Sequence, residues 1–192
     1  RRVEVARLLL DHDSEAALTP PGHRYGLTPL SEAIQCSGVN MLRLLLARGA
    51  AKYVRNDHRA LDNAMDVWRG GDAEGEMVRL LLEHGADPNG KLKSPGARGQ
   101  TPLSLACERG KYNAVRRLLD FGADPNRGSG YHDSSPLYDA CFPSHYLRAS
   151  DLKRSVAIAR LLLERGATVD SQTWRHLRVR APKWYGRDGT VP

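Results

Sequence analysis

The stretch that decides the fold runs from Gly99 to Asn126 and reads GQTPLSLACERGKYNAVRRLLDFGADPN. It predicts a helix that begins after Thr101, because a threonine side chain caps a helix and proline at the first helical position loses no hydrogen bond. Apolar residues at helical spacing continue to Gly110, and a second such run ends at Gly122. Helices this short are not stable alone, so the unit is expected to bury its apolar faces against neighbours of the same kind.

Partial copies of this stretch recur along the chain. The opening Thr-Pro-Leu recurs from Thr28, as Ser-Pro-Leu from Ser135 and, more poorly, as Arg-Ala-Leu from Arg59. Thr101 and Ser135 lie 34 residues apart. The leucine-rich endings recur at 44–50, 80–89 and 161–167. Self-similarity at this period indicates a stacked array of small units rather than one globular core.

This pattern resembles the ankyrin repeat, which combines a TPL opening, a first helix ending in glycine, a second helix ending in two leucines, and GADxN. The resemblance implies an all-α solenoid of helix–turn–helix units joined by β-hairpin-like fingers. It divides residues 1–170 into a partial repeat at 1–13 and repeats at about 26–50, 57–89, 99–126 and 133–170. Residues 171–192 are interpreted as a terminal cap or, alternatively, as a basic-aromatic tail that contacts a partner or leads into a further domain. Because the chain opens on a second-helix pattern, we expect it to be part of a longer protein.

Several segments depart from the family pattern. The finger at 50–58 is expected to be short, whereas the segments at 69–75, 90–98 and 143–154 are enlarged. Surface loops tolerate insertions, so these are interpreted either as drift or as partner-specific protrusions. The repeat that opens at Arg59 lacks the Thr-Pro start, and we expect it to be the softest unit. The histidine that usually follows TPL is replaced at every opening, by Ser31, Asp62, Ser104 and Tyr138.

Composition agrees with an array inside the cell. The 192 residues are 41% hydrophobic and 27% charged, and the sequence holds no run of about 18 apolar residues, so no transmembrane helix or membrane insertion is expected. Cys36, Cys107 and Cys141 are too few and too scattered for a disulfide framework, which favours a reducing compartment, cytoplasmic or nuclear. We interpret them as core fillers. A metal site at Cys141 and His145 is not expected, because Pro143 lies between them and no second ligand pair follows.

The sequence shows no pattern typical of a catalyst. Its seven histidines are dispersed, and none belongs to a nucleophile elbow or a metal-binding motif. It has neither a phosphate-binding glycine loop nor a dinucleotide fingerprint. We therefore expect no enzymatic activity, no cofactor and no resident metal in this sequence, although the array is also compatible with targeting a catalytic domain that lies outside it.

The net charge of +7 and the isoelectric point of about 9.6 permit nucleic-acid binding. Lys91, Lys93 and Arg98 form a local cationic cluster in the enlarged finger. The remaining excess is spread along the chain, and aromatic residues do not alternate with basic ones except in the tail. Electrostatic nucleic-acid binding is therefore the alternative to protein binding rather than the first choice.

The resemblance implies that the chain is a scaffold that binds another protein on a concave surface built from finger tips and first-helix ends. Carried over by position, the finger residues are Arg24, Tyr25, Arg55, Asn56, His58, Arg98, Gln100, Tyr131 and His132. The first-helix residues are Gln35, Asp66, Glu108, Arg109 and Phe142. Arginine and aromatic residues often anchor interfaces, but any variable surface offers such residues. The sequence names neither the partner nor the oligomeric state.

Overall fold

The computed structural model describes residues 11, 29–36, 38–55, 59–66, 72–92, 99–128, 134–142, 149–170 and 173–175. Within these ranges the regular elements are helical, and no residue belongs to a strand. The α-helices are α1 (Pro29–Cys36), α2 (Val39–Leu45), α3 (Ala51–Val54), α4 (Ala60–Asp66), α5 (Ala73–Glu83), α6 (Pro102–Glu108), α7 (Tyr112–Asp120), α8 (Pro136–Cys141) and α9 (Ala149–Glu164), and a π-helical segment, Leu46–Ala50, joins α2 to α3.

The helices form two layers. One layer holds the first helices, in which α1 packs on α4, α4 on α6 and α6 on α8. The other holds the second helices, in which α2 packs on α5, α5 on α7 and α7 on α9. Each first helix also packs against the second helix that follows it. The expected all-α solenoid of helix pairs is therefore confirmed.

Local sequence explains where these helices begin. The Thr101 side chain accepts a hydrogen bond from the Ser104 backbone N–H at 3.2 Å, with Pro102 in the first turn of α6. Ser135 does the same for Tyr138 at 3.2 Å before α8. Each cap satisfies a backbone donor that the helix itself leaves without a partner. The predicted starts are thus confirmed at both openings.

The ends of the second helices follow one rule. Gly122 adopts a positive φ of 82°, which glycine tolerates best, and this turns the chain out of α7. An alanine N–H then donates back to the carbonyl five residues earlier: Ala86 to Leu81 at 3.0 Å, Ala123 to Leu118 at 2.9 Å and Ala167 to Leu162 at 2.9 Å. The repeated Gly-Ala pair therefore closes each of these helices in the same way.

Between the layers lies a continuous apolar core. Its most buried side chains include Ile34, Leu42, Met65, Leu81, Leu118 and Leu162, all with 0% exposure. They belong to successive helix pairs, so each pair buries its apolar stripe against its neighbours. The core thus runs along the stack rather than forming a central ball.

The segment at 50–58, which was expected to be a short finger, is partly helical. Residues Ala51–Val54 form the helical turn α3. In the regular fingers the Asp87 carboxylate accepts the Asn89 N–H at 2.8 Å, and Asp124 accepts Asn126 at 2.9 Å. Here the sequence reads Ala51-Lys52-Tyr53, so it lacks the aspartate that starts such a turn, and alanine and lysine favour helix.

The enlarged segments are only partly loops. Helix α5 begins at Ala73 and α9 at Ala149, so the last residues assigned to the 69–75 and 143–154 insertions extend second helices. In the 90–98 finger, the Leu92 side chain is buried and its N–H donates to the Gln100 carbonyl at 2.9 Å. The division into repeats and the capping role of 171–192 stay predictions. In the described part of the chain, no helix has the length and apolarity needed to cross a membrane.

Candidate functional site

The side chains at the carboxyl ends of the first helices, which we call the first-helix face, form the candidate site. They include Gln35, Glu108, Arg109 and Phe142. Gln35 is exposed, whereas the other three are half-buried. Gln35, Glu108 and Arg109 each contact a neighbouring element, and Phe142 packs against Tyr138 of its own helix. The face is therefore partly preorganised in the free protein.

Gln35 on α1 reaches the next first helix. Its side-chain N–H donates to Asn63 Oδ1 on α4 at 3.1 Å. Asn63 is buried, and its Nδ2 has no hydrogen-bond partner among the described residues. This amide pair ties α1 to α4 without any net charge.

Arg109 and Asp62 form the most buried ion pair of the face. Arg109 lies just after α6, and its guanidinium donates to Asp62 Oδ1 on α4 at 2.8 Å. The Arg109 side chain is 19% exposed and that of Asp62 is 7% exposed. Asp62 stands where the family usually has histidine, so an ion pair links these neighbouring units. Removing one partner of such a pair leaves a buried charge, which costs more than an exposed pair contributes.

Glu108 is positioned from the finger that precedes its own helix. The buried Gln100 side chain donates to Glu108 Oε2 at 2.6 Å. Gln100 therefore supports Glu108 rather than presenting its own amide at the surface. At the next first helix, Phe142 packs against Tyr138 with ring centroids 5.0 Å apart. A tilted aromatic pair of this kind holds a half-buried apolar group at the face.

Asp139 is a functional candidate that the sequence analysis missed. It lies on α8, is 7% exposed, and has no hydrogen-bond partner at Oδ2 among the described residues. The pKa of Asp139 is raised to about 7, chiefly because the carboxyl group is buried; the nearby Glu108 carboxylate also raises it, and the Ser134 and Ser104 hydroxyls lower it. The signal available in the sequence was an acidic residue where the best repeat has Leu105.

Other predicted site residues lie elsewhere or outside the described residues. Arg55 is exposed, and its guanidinium lies beside Gly85, where an added methyl group would contact it at 3.7 Å. Asp66 is the last residue of α4, but its side chain is not described. The remaining finger residues lie outside the described ranges: Arg24, Tyr25, Asn56, His58, Arg98, Tyr131 and His132.

The described part of the chain shows no cluster of metal-binding side chains. No group of three histidine, cysteine or acidic side chains is placed there to hold a metal ion. Cys107 is buried and Cys141 is half-buried. Burial raises the pKa of both thiols, which therefore stay protonated and unreactive, in agreement with their interpretation as core residues. Lys91 is exposed, whereas Lys93 and Arg98 lie outside the described ranges.

Comparison with known proteins agrees with this architecture. The family model described as "Ankyrin repeats (3 copies)" matches residues 65–173, more than half of the chain, and the model "Ankyrin repeat" matches residues 25–57. The chain belongs to the ankyrin-repeat family. Members of this family typically act as interaction domains for other proteins. Whether this chain lacks enzymatic activity stays a prediction.

Its relatives are mostly much longer. An ankyrin repeat-containing protein of Treponema pallidum (strain Nichols) is 36% identical over 123 residues, which cover 64% of this chain and 38% of that protein. The Neurogenic locus Notch protein of Drosophila melanogaster is 31% identical over 114 residues, covering 59% of this chain and 4% of Notch. The crystal structure of the ankyrin repeat domain of Bcl-3 matches with a TM-score of 0.58 and 26% identity, over 86% of this chain and 66% of that one.

Proposed function

We propose that this ankyrin array works inside the cell as a scaffold that binds a protein partner through its first-helix face and adjoining fingers. On the described side of that surface, the contacts would come from Gln35, Glu108, Arg109 and Phe142, with Gln100 supporting Glu108. Arg55 and Asp66 would add to this surface, as their positions in the repeats suggest. The finger residues that complete the surface would be Arg24, Tyr25, Asn56, His58, Arg98, Tyr131 and His132.

The observation that carries this proposal is the supported state of the first-helix face. Gln35, Glu108 and Arg109 are each held by a hydrogen bond to a buried side chain, and Phe142 is held by Tyr138. Side chains that are already ordered lose less conformational entropy on binding. A mixture of arginine, amide and aromatic groups in one surface also suits a protein interface.

The test is affinity capture with the intact chain followed by identification of the bound proteins. A variant with Gln35→Ala, Arg55→Ala and Phe142→Ala removes three side chains from the proposed surface. The matched control carries Asn40→Ala, Arg116→Ala and Arg160→Ala, three exposed residues on second helices. We expect partners to be lost from the first variant and kept by the control, with unchanged far-UV circular dichroism for both. If every partner remains bound to the first variant, this surface is not the binding site.

A further inference from the structure

One position of the second helices has a different exposure in the last unit. Three residues before the glycine that closes each ending stand Leu46, Leu82, Leu119 and Leu163. The first three are 5%, 6% and 8% exposed, whereas Leu163 is 48% exposed. The stacking explains the difference, because α5 packs on α2, α7 on α5 and α9 on α7, but no second helix follows α9 among the described residues. Leu163 therefore marks a surface that each earlier unit buries.

The surface around Leu163, which we call the α9 face, consists of Val156, Ala159, Arg160 and Leu163. Ala159 and Arg160 follow Val156 by three and four residues, and Leu163 follows it by seven, so they share one side of α9. Val156 is 54% exposed and Ala159 is half-buried. Val115, which holds the position of Ala159 in α7, is fully buried. The α9 face is thus an apolar stripe open to solvent, and such a stripe suits the docking of another helix.

The charges beside this stripe are mostly positive. The exposed charged residues that the structure describes on α9 are Lys153, Arg154, Arg160 and Glu164. Arg160 stands where α2 has Arg43, six residues before the closing glycine. Arg43 forms an ion pair with Glu76 of α5, the helix that covers α2. Between α2 and α5, the covering helix therefore brings a glutamate to this arginine position.

Charge decides between the candidate occupants of the α9 face. Residues 176–192 contain the basic residues Arg178, Arg180, Lys183 and Arg187 and a single acidic residue, Asp188. A second copy of the chain would bring its own α9 face, and with it the same excess of basic groups. Like charges at close range oppose both arrangements, whereas an acidic helix would be attracted. The α9 face is therefore complementary to a helix that carries acidic residues.

We propose that the α9 face is a second protein-binding surface, which accepts an acidic amphipathic helix of a partner. The helix lies along α9 as α9 lies along α7. Its apolar residues cover Val156, Ala159 and Leu163, and its aspartate or glutamate residues pair with Arg160 and Lys153. This surface belongs to the second-helix layer, so it is separate from the first-helix face and does not depend on the proposed function.

The experiment is fluorescence anisotropy with two labelled synthetic peptides that form amphipathic helices. Both have leucine at the apolar positions, and one has glutamate where the other has lysine at the flanking positions. We expect the full chain to bind the glutamate peptide at least about tenfold more tightly than the lysine peptide, because only the former is complementary to Arg160 and Lys153. Arg160→Glu should reduce this preference about tenfold. The matched control Arg116→Glu changes the same position of α7 and should leave the preference within about twofold.

The apolar part of the α9 face is tested by a second pair of variants. Leu163→Ala should weaken binding of the glutamate peptide about tenfold, because it truncates one of the two large apolar side chains of the stripe. Phe121→Ala truncates an exposed apolar side chain just after α7 and should change the affinity less than about twofold. The control of the capture experiment includes Arg160→Ala, which leaves the stripe intact and should weaken a partner helix only about threefold. That control therefore keeps the partners of either surface.

Three results would overturn the inference. The first is failure of the glutamate peptide to bind more tightly than the lysine peptide. The second is a dimer in sedimentation equilibrium that Leu163→Ala dissociates, because the occupant would then be a second copy. The third is a loss of stability in Leu163→Ala as large as that in Leu119→Ala, because residues 176–192 would then cover the α9 face themselves. None of these results alters the outcome of the capture experiment at the first-helix face.

Discussion

Two contacts between neighbouring helix pairs can be compared directly. In the N-terminal joint, α1 and α2 pack against α4 and α5, and in the C-terminal joint, α6 and α7 pack against α8 and α9. Both have the same kind of apolar core, since Leu42 in one and Leu118 in the other are fully buried. The joints differ in the polar contacts at their two edges.

At the finger edge, only the C-terminal joint has the regular asparagine bridge. Asn126 Nδ2 donates to the Gly166 carbonyl at 3.0 Å, and its Oδ1 accepts the Thr168 N–H at 2.7 Å. Asn89 makes the same pair of contacts to Gly122 and Asp124 in the middle of the array. The equivalent residue of the N-terminal joint is Tyr53, which has no amide and lies in α3.

At the first-helix edge, it is the N-terminal joint that has the side-chain hydrogen bond between neighbouring units. The N-terminal joint has the neutral Gln35–Asn63 hydrogen bond, whereas the C-terminal joint has the buried Asp139 carboxyl group, which the Glu108 carboxylate influences. The C-terminal joint thus has more hydrogen bonds between its fingers, but the stability of its first-helix packing is expected to depend on pH. The comparison teaches that a shared apolar core holds the stack together, while local polar substitutions decide how each joint responds to conditions.

The largest effect should come from breaking the shared core. Leu119→Ala removes a side chain that is 8% exposed, and we expect the free energy of unfolding to fall by about 2–5 kcal/mol because a cavity is left between α7 and its neighbours. Leu163 holds the same position in α9 but is 48% exposed, so Leu163→Ala is the control and should cost less than about 1 kcal/mol. Urea unfolding monitored by circular dichroism measures both. Equal losses would mean that the assigned core face is wrong.

The sequence predicted this core and the helix pairs well, because apolar spacing, the Thr101 cap and the Gly-Ala endings are local and repeated. It failed at 51–54, where the absence of an aspartate and an asparagine left a helical turn in place of a finger. It also missed Asp139, because its properties depend on Glu108 and Ser104 from a different helix. Pairing between repeats is a tertiary property, and residue spacing within one repeat does not encode it.

The second test asks whether the stability of the C-terminal joint depends on pH through Asp139. The pKa of Asp139 is about 7 when folded and near 3.8 when unfolded, so the folded state holds the proton more tightly. The stability from this group is therefore fully present below about pH 4, declines as the pH rises towards 7, and is lost above it. Relative to wild type, Asp139→Asn should become more stable by about 2–4 kcal/mol between pH 4 and pH 8.

Thermal and urea unfolding of both proteins across this range measure that difference. Asn63→Asp is the matched change in the N-terminal joint, since it places a carboxyl group at the equivalent position beside Gln35. It should introduce a weaker pH dependence, because its neighbour is an amide rather than a carboxylate. A constant stability difference between wild type and Asp139→Asn would show that Asp139 titrates normally in the folded protein.

A smaller effect is expected from the finger edge. Asn126→Ala removes the hydrogen bonds to Gly166 and Thr168, and we expect a loss of about 1–2 kcal/mol because these backbone groups remain accessible to water. Asn40→Ala, an exposed asparagine on α2, should change stability by less than about 0.5 kcal/mol. Denaturant unfolding again provides the measurement. If Asn126→Ala were neutral, the bridge would not distinguish the two joints.

The smallest effect concerns local opening rather than global stability. The helix α4 lacks the Thr-Pro start, and the finger before it lacks the asparagine bridge, so its amides should exchange with solvent through openings that cost about 1 kcal/mol less than those of α6. Native-state hydrogen exchange resolved by peptide or by residue compares Ala60–Asp66 with Pro102–Glu108. Arg59→Thr together with Ala60→Pro restores the capped opening and should narrow the difference, because a side-chain cap contributes about 1 kcal/mol. Protection in α4 equal to that in α6 before these changes would mean that the Asp62–Arg109 ion pair and the Gln35–Asn63 bond compensate fully for the missing cap.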